Sequence, residues 1–285
     1  MTRMAQLFAE RLFDLPTLPA GWQLIAIGIG PRFEVLLLTR EGSDGPPFRY
    51  RVYENRDRSL RAFDLHAPSA VAYQFIQPIG EGNLFLASAW TSPGAVGAGH
   101  VWTRSGKLLR EVDIGEGIED VQATSTSEIW VSQFDEGVFR RGGSGLACFT
   151  EDGRRVFAFS DVVRETKVPA IDDCYALNVV SDDDVWLYYY SAFPLVRLVG
   201  KKLAGIWSTG RISGARTFAV GERSVLFVGG YENPRAITRL FPESSRTETM
   251  HVSAEGSPLE FTRACGRGDR LFLAAPSALW SVLAD

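Results

Sequence analysis

GEGIEDVQATSTSEIWVSQFDEG (Gly115 to Gly137), followed by GLACFTEDGRRVFAFSD (Gly145 to Asp161), is one copy of a unit that the chain repeats at once. The next copy reads IDDCYALNVVSDDDVWLYYYSAF (Ile171 to Phe193) and runs on as PLVRLVGKKLAGIW to Trp207. Each copy opens with two acids at the head of a short apolar strand. It then crosses a polar turn and enters a second strand built on Ile-Trp-Val or Val-Trp-Leu. A hairpin follows, with Gly and Asp or Lys between two further β-forming runs. Four antiparallel strands in sequence make one blade, and repeated blades predict a β-propeller.

The second strand is the landmark that extends the pattern outward. It starts at Val35, Leu84, Ile129, Val185, Val225 and Leu271, a spacing of roughly 40 to 56 residues. Six landmarks predict an all-β, six-bladed propeller forming a single domain over 1–285. The blades are expected at about 22–65, 73–114, 118–161, 171–209, 213–253 and 257–285 plus 9–15. Fourth strands end alike at Phe63-Asp64-Leu65 and Val112-Asp113-Ile114, and more loosely at Phe159-Ser160-Asp161. The last unit has only three strands. Phe13-Asp14-Leu15 repeats the ending of Phe63-Asp64-Leu65 one unit earlier, so Ala9 to Leu15 is expected to add the missing strand. That pairing would remove an open sheet edge and bring Phe8, Leu12 and Phe13 into the core. Local propensity favours a helix over Met4 to Phe13 instead, but a helix there would leave the last blade incomplete.

Composition narrows the function classes. Across 285 residues, 45% are hydrophobic and 12% aromatic, enough for a sizeable core, and the net charge is −4. A nucleic-acid groove would leave a basic surplus. The lysines, Lys107, Lys167, Lys201 and Lys202, form no polybasic membrane patch. Cys148, Cys174 and Cys265 fall inside predicted strands, where cysteine acts as a small apolar residue, and three cysteines do not describe a secreted disulfide scaffold. MTRMAQLFAERLFDLP lacks the uninterrupted apolar core of a signal peptide, and no apolar run approaches the roughly 20 residues of a membrane helix. The expectation is a cytoplasmic protein with no nucleic-acid or membrane partner.

Propeller topology predicts where ligands meet the chain. Starts of inner strands and exits from second strands share one face, which also carries the long loops Glu41 to Pro47 and Thr91 to Gly99 and the Arg140-Arg141-Gly142-Gly143 loop. The opposite face has mostly tight turns. The candidate acids are Glu119, Asp120, Asp172, Asp173 and Glu260 at inner-strand starts, with Asp135 and Glu136 at an exit. The candidate aromatics are Trp90, Tyr190 and Tyr231, with Trp22, Tyr175 and Tyr188 on the same rim. Trp130 and Trp186, at equivalent second-strand positions, are expected between blades. Crowded carboxylates raise one another's pKa or bind a cation, whereas acids at strand starts also cap turns, so structural, metal-binding and acid–base readings all stand. Arg216 is the nearest internal candidate to neutralise the group. His66, His100 and His251 stand alone and read as surface or turn residues. Gly28-Ile29-Gly30 opens no helix, Gly142-Gly143-Ser144-Gly145 lacks a phosphate-loop ending, and no nucleophile elbow is present.

The run Asp120 to Asp135 around Glu128-Ile129-Trp130-Val131, and Asp183 to Leu187, resemble the propeller repeats of two-component regulators and of gluconolactonase- and regucalcin-like proteins. The likeness is at the level of the fold. It implies, for the lactonase-like enzymes, a divalent metal at the channel mouth held from a Glu-Gly-Pro and later Asn and Asp residues. This chain has Gly21-Trp22-Gln23 where that Glu would stand, and Asn178 lies about three residues past the ligand position, so the metal site does not carry over. Asp120, Asp172 and Asp173 remain candidates for a different site for calcium or a similar divalent cation. The leading expectation is a binding module whose acidic, aromatic-rimmed face takes a protein, a peptide or a small molecule. The alternatives are a metal-dependent hydrolase or lactonase, with ligands from Glu119, Asp120, Asp172, Asp173 and Glu260, and a purely structural subunit.

Overall fold

The computed structural model describes residues 5–42, 45–56, 59–66, 70–91 and 97–285. They form six antiparallel blades, and the fold is an all-β, six-bladed propeller. Contacts divide the chain into two compact units of three blades: Thr17–Cys174, and Met1–Pro16 with Tyr175–Asp285. The chain begins with β1 (Ala5–Phe8) and β2 (Glu10–Asp14). In the unit Thr17–Cys174, the first blade is β3 (Trp22–Ile29), β4 (Val35–Glu41), β5 (Tyr50–Arg56) and β6 (Ser59–Asp64). The second is β7 (Phe75–Ile79), β8 (Asn83–Ala87), β9 (Gly99–Thr103) and β10 (Leu108–Val112). The third is β11 (Ile118–Ala123), β12 (Ile129–Gln133), β13 (Leu146–Phe149) and β14 (Arg155–Ala158), with helices α1 (Asp135–Val138) and α2 (Phe159–Glu165).

The other unit, from Tyr175 on, holds the rest of β15 (Asp173–Val179), which forms one blade with β16 (Asp184–Tyr190), β17 (Pro194–Val199) and β18 (Lys202–Ser208). The next is β19 (Ala215–Val220), β20 (Val225–Gly229), β21 (Ile237–Phe241) and β22 (Arg246–Ala254), with the short β23 (Ser257–Pro258) paired to β22. The last blade is β24 (Arg263–Arg267), β25 (Arg270–Ala274) and β26 (Ala278–Leu283), completed by β2. No helix among the described residues is long and apolar enough to cross a membrane.

Second strands are apolar on both faces because each face packs into a different core. Successive strand side chains point to opposite sides of a sheet. Leu84 and Leu86 of β8 accordingly join Leu36, Val52 and Tyr73, while Phe85 and Ala87 join Val121, Ile129 and Phe149. In the other unit Val225 and Phe227 of β20 pack with Tyr188 and Phe218, and Leu226 and Val228 pack with Leu271 and Trp280. Trp130 is 1% and Trp186 7% exposed, buried as expected, and their ring partners Phe157 and Trp207 belong to their own blades. Outermost strands have one face in water, and β18 alternates residue by residue between exposed and half-buried.

Inner strands approach one another closely. A Cβ at Gly266 of β24 would lie 1.9 Å from the Phe218 carbonyl oxygen of β19. Asn178 of β15, fully buried, donates to the carbonyls of Phe218 (2.8 Å) and Gly268 (2.9 Å) and accepts from the Gly268 N–H (2.8 Å). That amide is consumed by packing, which removes it as a ligand.

The N-terminal segment completes the last blade as a strand, not a helix: β2 pairs antiparallel with β26, Arg11 opposite Trp280 and Asp14 opposite Ala278. It also does something the repeat did not announce. β1 adds to the preceding blade, pairing parallel with β22 from Ala5 opposite Met250 to Phe8 opposite Ser253. The core residue here is Leu7, 6% exposed, and not Phe8, 77% exposed; Leu12 and Phe13 are half-buried. The reason is the period of two: once β1 docks on β22, only one face of it meets the core.

Three further expectations are corrected. Phe159-Ser160-Asp161 does not end a strand: β14 stops at Ala158 and Phe159, fully buried, opens α2. Asp135 and Glu136 lie in the first turn of α1. His100 is a core residue of β9, 3% exposed, edge-on to Tyr73 at 5.3 Å. Residues 43–44 and 92–96 of the long loops lie outside the described residues.

Two outcomes follow from these placements. Leu7→Ala should cost about 2–5 kcal/mol in denaturant unfolding, whereas Phe8→Ala should stay within about 0.5 kcal/mol. Burial lowers the His100 pKa despite the opposing charge of Glu111 and a bond to the Ala98 backbone. The unfolded state therefore binds more protons, and this part of the stability is complete above about pH 6.5 and lost as the pH falls below it. Unfolding free energies measured from about pH 7 to about pH 5 should fall less steeply in His100→Gln than in the wild type.

Candidate functional site

The predicted carboxylates in the unit Thr17–Cys174 gather around a buried thiol. Glu119 and Asp120 lie within β11, and Asp173 is the first residue of β15, next to Cys174. Cys174 is fully buried, and burial pushes its thiol well above the ordinary value. The charges of Glu119, Asp173 and Asp120 push it further, outweighing a hydrogen bond with Ser132. Cys174 is thus a neutral thiol and no nucleophile. Asp120, inside β11 and not ahead of it as expected, accepts from the Val121 N–H (2.8 Å) and from the Gln122 side-chain amide (3.2 Å) of the same strand. Asp172 is half-buried just before β15. Among the described residues, no three or more His, Cys, Asp or Glu side chains are placed to hold a metal ion, so Asp120, Asp172 and Asp173 form no such centre.

Trp90, in the same unit, is 39% exposed and sits edge-on to Phe134 at 5.4 Å. Arg140 covers its ring at 4.8 Å and pairs with Glu116. Beside it lies a cavity of about 500 Å³ bordered by Arg140, Arg141 and Arg155 against Asp113 and Glu116, so this part of the face is more basic than acidic. Asp135 and Glu136 are exposed on α1; a hydrogen bond with the Asp135 carboxylate raises the Glu136 pKa. Trp22 is half-buried with Arg51 over its ring at 5.2 Å.

The other unit carries the aromatic group. Tyr190 ends β16 and Tyr231 follows β20, and they are 44% and 60% exposed. Phe193 stands behind both, with ring centroids 5.6 Å from Tyr190 and 6.0 Å from Tyr231. Tyr175 of β15 meets Phe193 edge-on at 5.2 Å, and its hydroxyl bonds that of Tyr231 at 2.7 Å. Arg216 lies over the Tyr175 ring at 4.6 Å. Tyr231 can fold down here because residue 214 is glycine: a Cβ would stand 2.7 Å from its ring. Tyr188 is corrected from rim to core: it is fully buried, its hydroxyl donates to the Ile212 carbonyl, and burial raises its pKa. Glu260 is exposed before β24 and pairs loosely with Arg235 at 3.7 Å. Phe193 was missed because it reads as an ordinary turn residue; only its contacts reveal that it props two tyrosines.

The YxzG family model matches residues 146–281, just under half the chain. No curated protein matches. Among solved structures, YCF48 bound to D1 peptide is similar at a TM-score of 0.54 and 12% identity, covering 95% of this chain and 80% of that one. A virginiamycin B lyase from Staphylococcus aureus with quinupristin aligns at 0.53 and 11% identity, covering 95% and 97%. A gluconolactonase from Xanthomonas campestris aligns at 0.48 and 11% identity, covering 95% and 97%. The first two likenesses agree with the propeller fold and extend no further.

The burial of the thiol can be checked directly. Iodoacetamide at about pH 8.5, where an ordinary cysteine is half ionised, should leave Cys174 unlabelled in the folded protein and label it after unfolding, as peptide mass spectrometry will show.

Proposed function

We propose that this chain is a binding module for a peptide segment of a partner, with Tyr190 and Tyr231 as the contact residues and Phe193, Tyr175 and Arg216 as their support. The observation that carries the reading is the pair of large, exposed tyrosines held rigid from behind. Aromatic side chains that project while losing little rotamer freedom are the usual anchors of interfaces. The solved propeller of YCF48 with the D1 peptide gives a precedent for the fold in this role. A cytoplasmic setting belongs to the same reading and suits three free cysteines.

The carboxylates Glu119, Asp120, Asp172 and Asp173 are read as structural, with Asp120 bonded to its own strand. A metal-dependent hydrolase would need convergent ligands, and the acids that approach one another surround an inert thiol.

Selection of a random peptide display library on the protein tests the proposal. Enriched peptides should bind, and Tyr190→Ala and Tyr231→Ala should each weaken them by about 2 kcal/mol, or roughly 30-fold, with the thermal midpoint unchanged. Failure to enrich any peptide, or enriched peptides indifferent to both substitutions, would remove the reading.

A further inference from the structure

β16 ends at Tyr190, and the residues at its other end line a separate feature. A cavity of about 810 Å³ opens there, on the face expected to carry mostly tight turns, and all its lining residues belong to one unit. Its volume is that of a small-molecule site. Two indoles wall it. Trp186 of β16 and Trp207 of β18 are stacked with centroids 5.1 Å apart and planes 14° apart. Trp207 can lie flat because it crosses Gly205, where a Cβ would stand 2.2 Å from the indole. Trp186 is 7% exposed, and its Nε1–H has no acceptor among the described residues. That nitrogen is itself closed off, so what the pair offers the cavity is indole ring surface.

The rim is acidic. Arg197 covers the Trp186 ring at 5.3 Å and holds Asp184 through two hydrogen bonds, at 3.0 and 2.8 Å, so that pair is internally neutral. Of the remaining charges, Glu222, Glu243, Asp269 and Asp285 border the cavity with Arg223, and Asp269 also has Arg270 beside it at 3.7 Å. Burial disfavours the charge of Asp285, but bonds from the Ser224 hydroxyl and the Arg223 and Glu222 N–H groups outweigh it and lower the pKa, so the carboxylate stays ionised. Glu222 and Glu243 are exposed and make no ion pair among the described residues. Stacked indoles beside unneutralised carboxylates attract a flat cation by its charge and by the ring faces.

We propose that this cavity binds a planar organic cation, of which an arginine derivative is the simplest case. The guanidinium lies against the indole wall and meets the rim carboxylates. The site is independent of the tyrosine surface at the far end of β16.

N-acetyl-L-arginine amide and its uncharged isostere N-acetyl-L-citrulline amide test this on the full chain, by tryptophan fluorescence and thermal shift. The cation should bind at millimolar concentration or below, and the citrulline compound at least about tenfold more weakly. Glu222→Gln/Glu243→Gln should lose about tenfold in affinity for the cation at an unchanged midpoint. Trp207→Leu should reduce both the binding and the fluorescence response, and Tyr190→Ala should leave binding intact. No binding of the cation, equal binding of the two compounds, indifference to the carboxamide substitutions, or loss with Tyr190→Ala would each overturn the proposal.

Discussion

Asn178 is a single side chain that ties three inner strands together. It sits on β15 and reaches the backbone of β19 at Phe218 and of the turn after β24 at Gly268. Those backbone groups are buried where no water can replace the amide, and each unpaired group would cost about 1–3 kcal/mol. Gly266 beside it has no room for a Cβ. Inner strands held this tightly have little freedom, and Tyr175, three residues before Asn178, inherits that rigidity.

The apolar second strands explain why polar chemistry appears only at strand ends. A strand whose two faces feed two cores has no side chain to spare for solvent along its length. β16 shows the consequence. Tyr188 in its middle is committed to packing, while Tyr190 at one end is half in water and Asp184 with Trp186 at the other borders a cavity. The two features are separated by the length of one strand, roughly 20 Å.

The carboxylates around Cys174 show how little a cluster of acids says about chemistry. Glu119, Asp120 and Asp173 are close enough to disfavour a thiolate, yet Asp120 already serves the backbone and the side chain of Gln122. Charge density alone does not make a ligand set; the oxygens must also converge on one point.

Much of the fold was legible in the chain itself. The starts of β4, β8, β12, β16, β20 and β25 fall within a residue of the landmarks at Val35, Leu84, Ile129, Val185, Val225 and Leu271, because a doubly buried strand requires an apolar run that repeats wherever the blade repeats. Closure by β2 was legible too, since an incomplete last blade and a matching Phe-Asp-Leu are both local patterns. The positions of Tyr190 and Tyr231 at strand exits follow from the same repeat. What the chain could not declare depends on partners distant in sequence. The parallel pairing of β1 with β22 decides that Leu7 is buried and Phe8 exposed, although both are large and apolar. His100 and Tyr188 are core residues because neighbouring strands close over them. The propped tyrosines need Phe193 and Gly214, and the indole cavity needs Trp186, Gly205 and Trp207 in register across one sheet. Periodicity specifies which residues share a face of a strand; only the packed structure decides what that face meets.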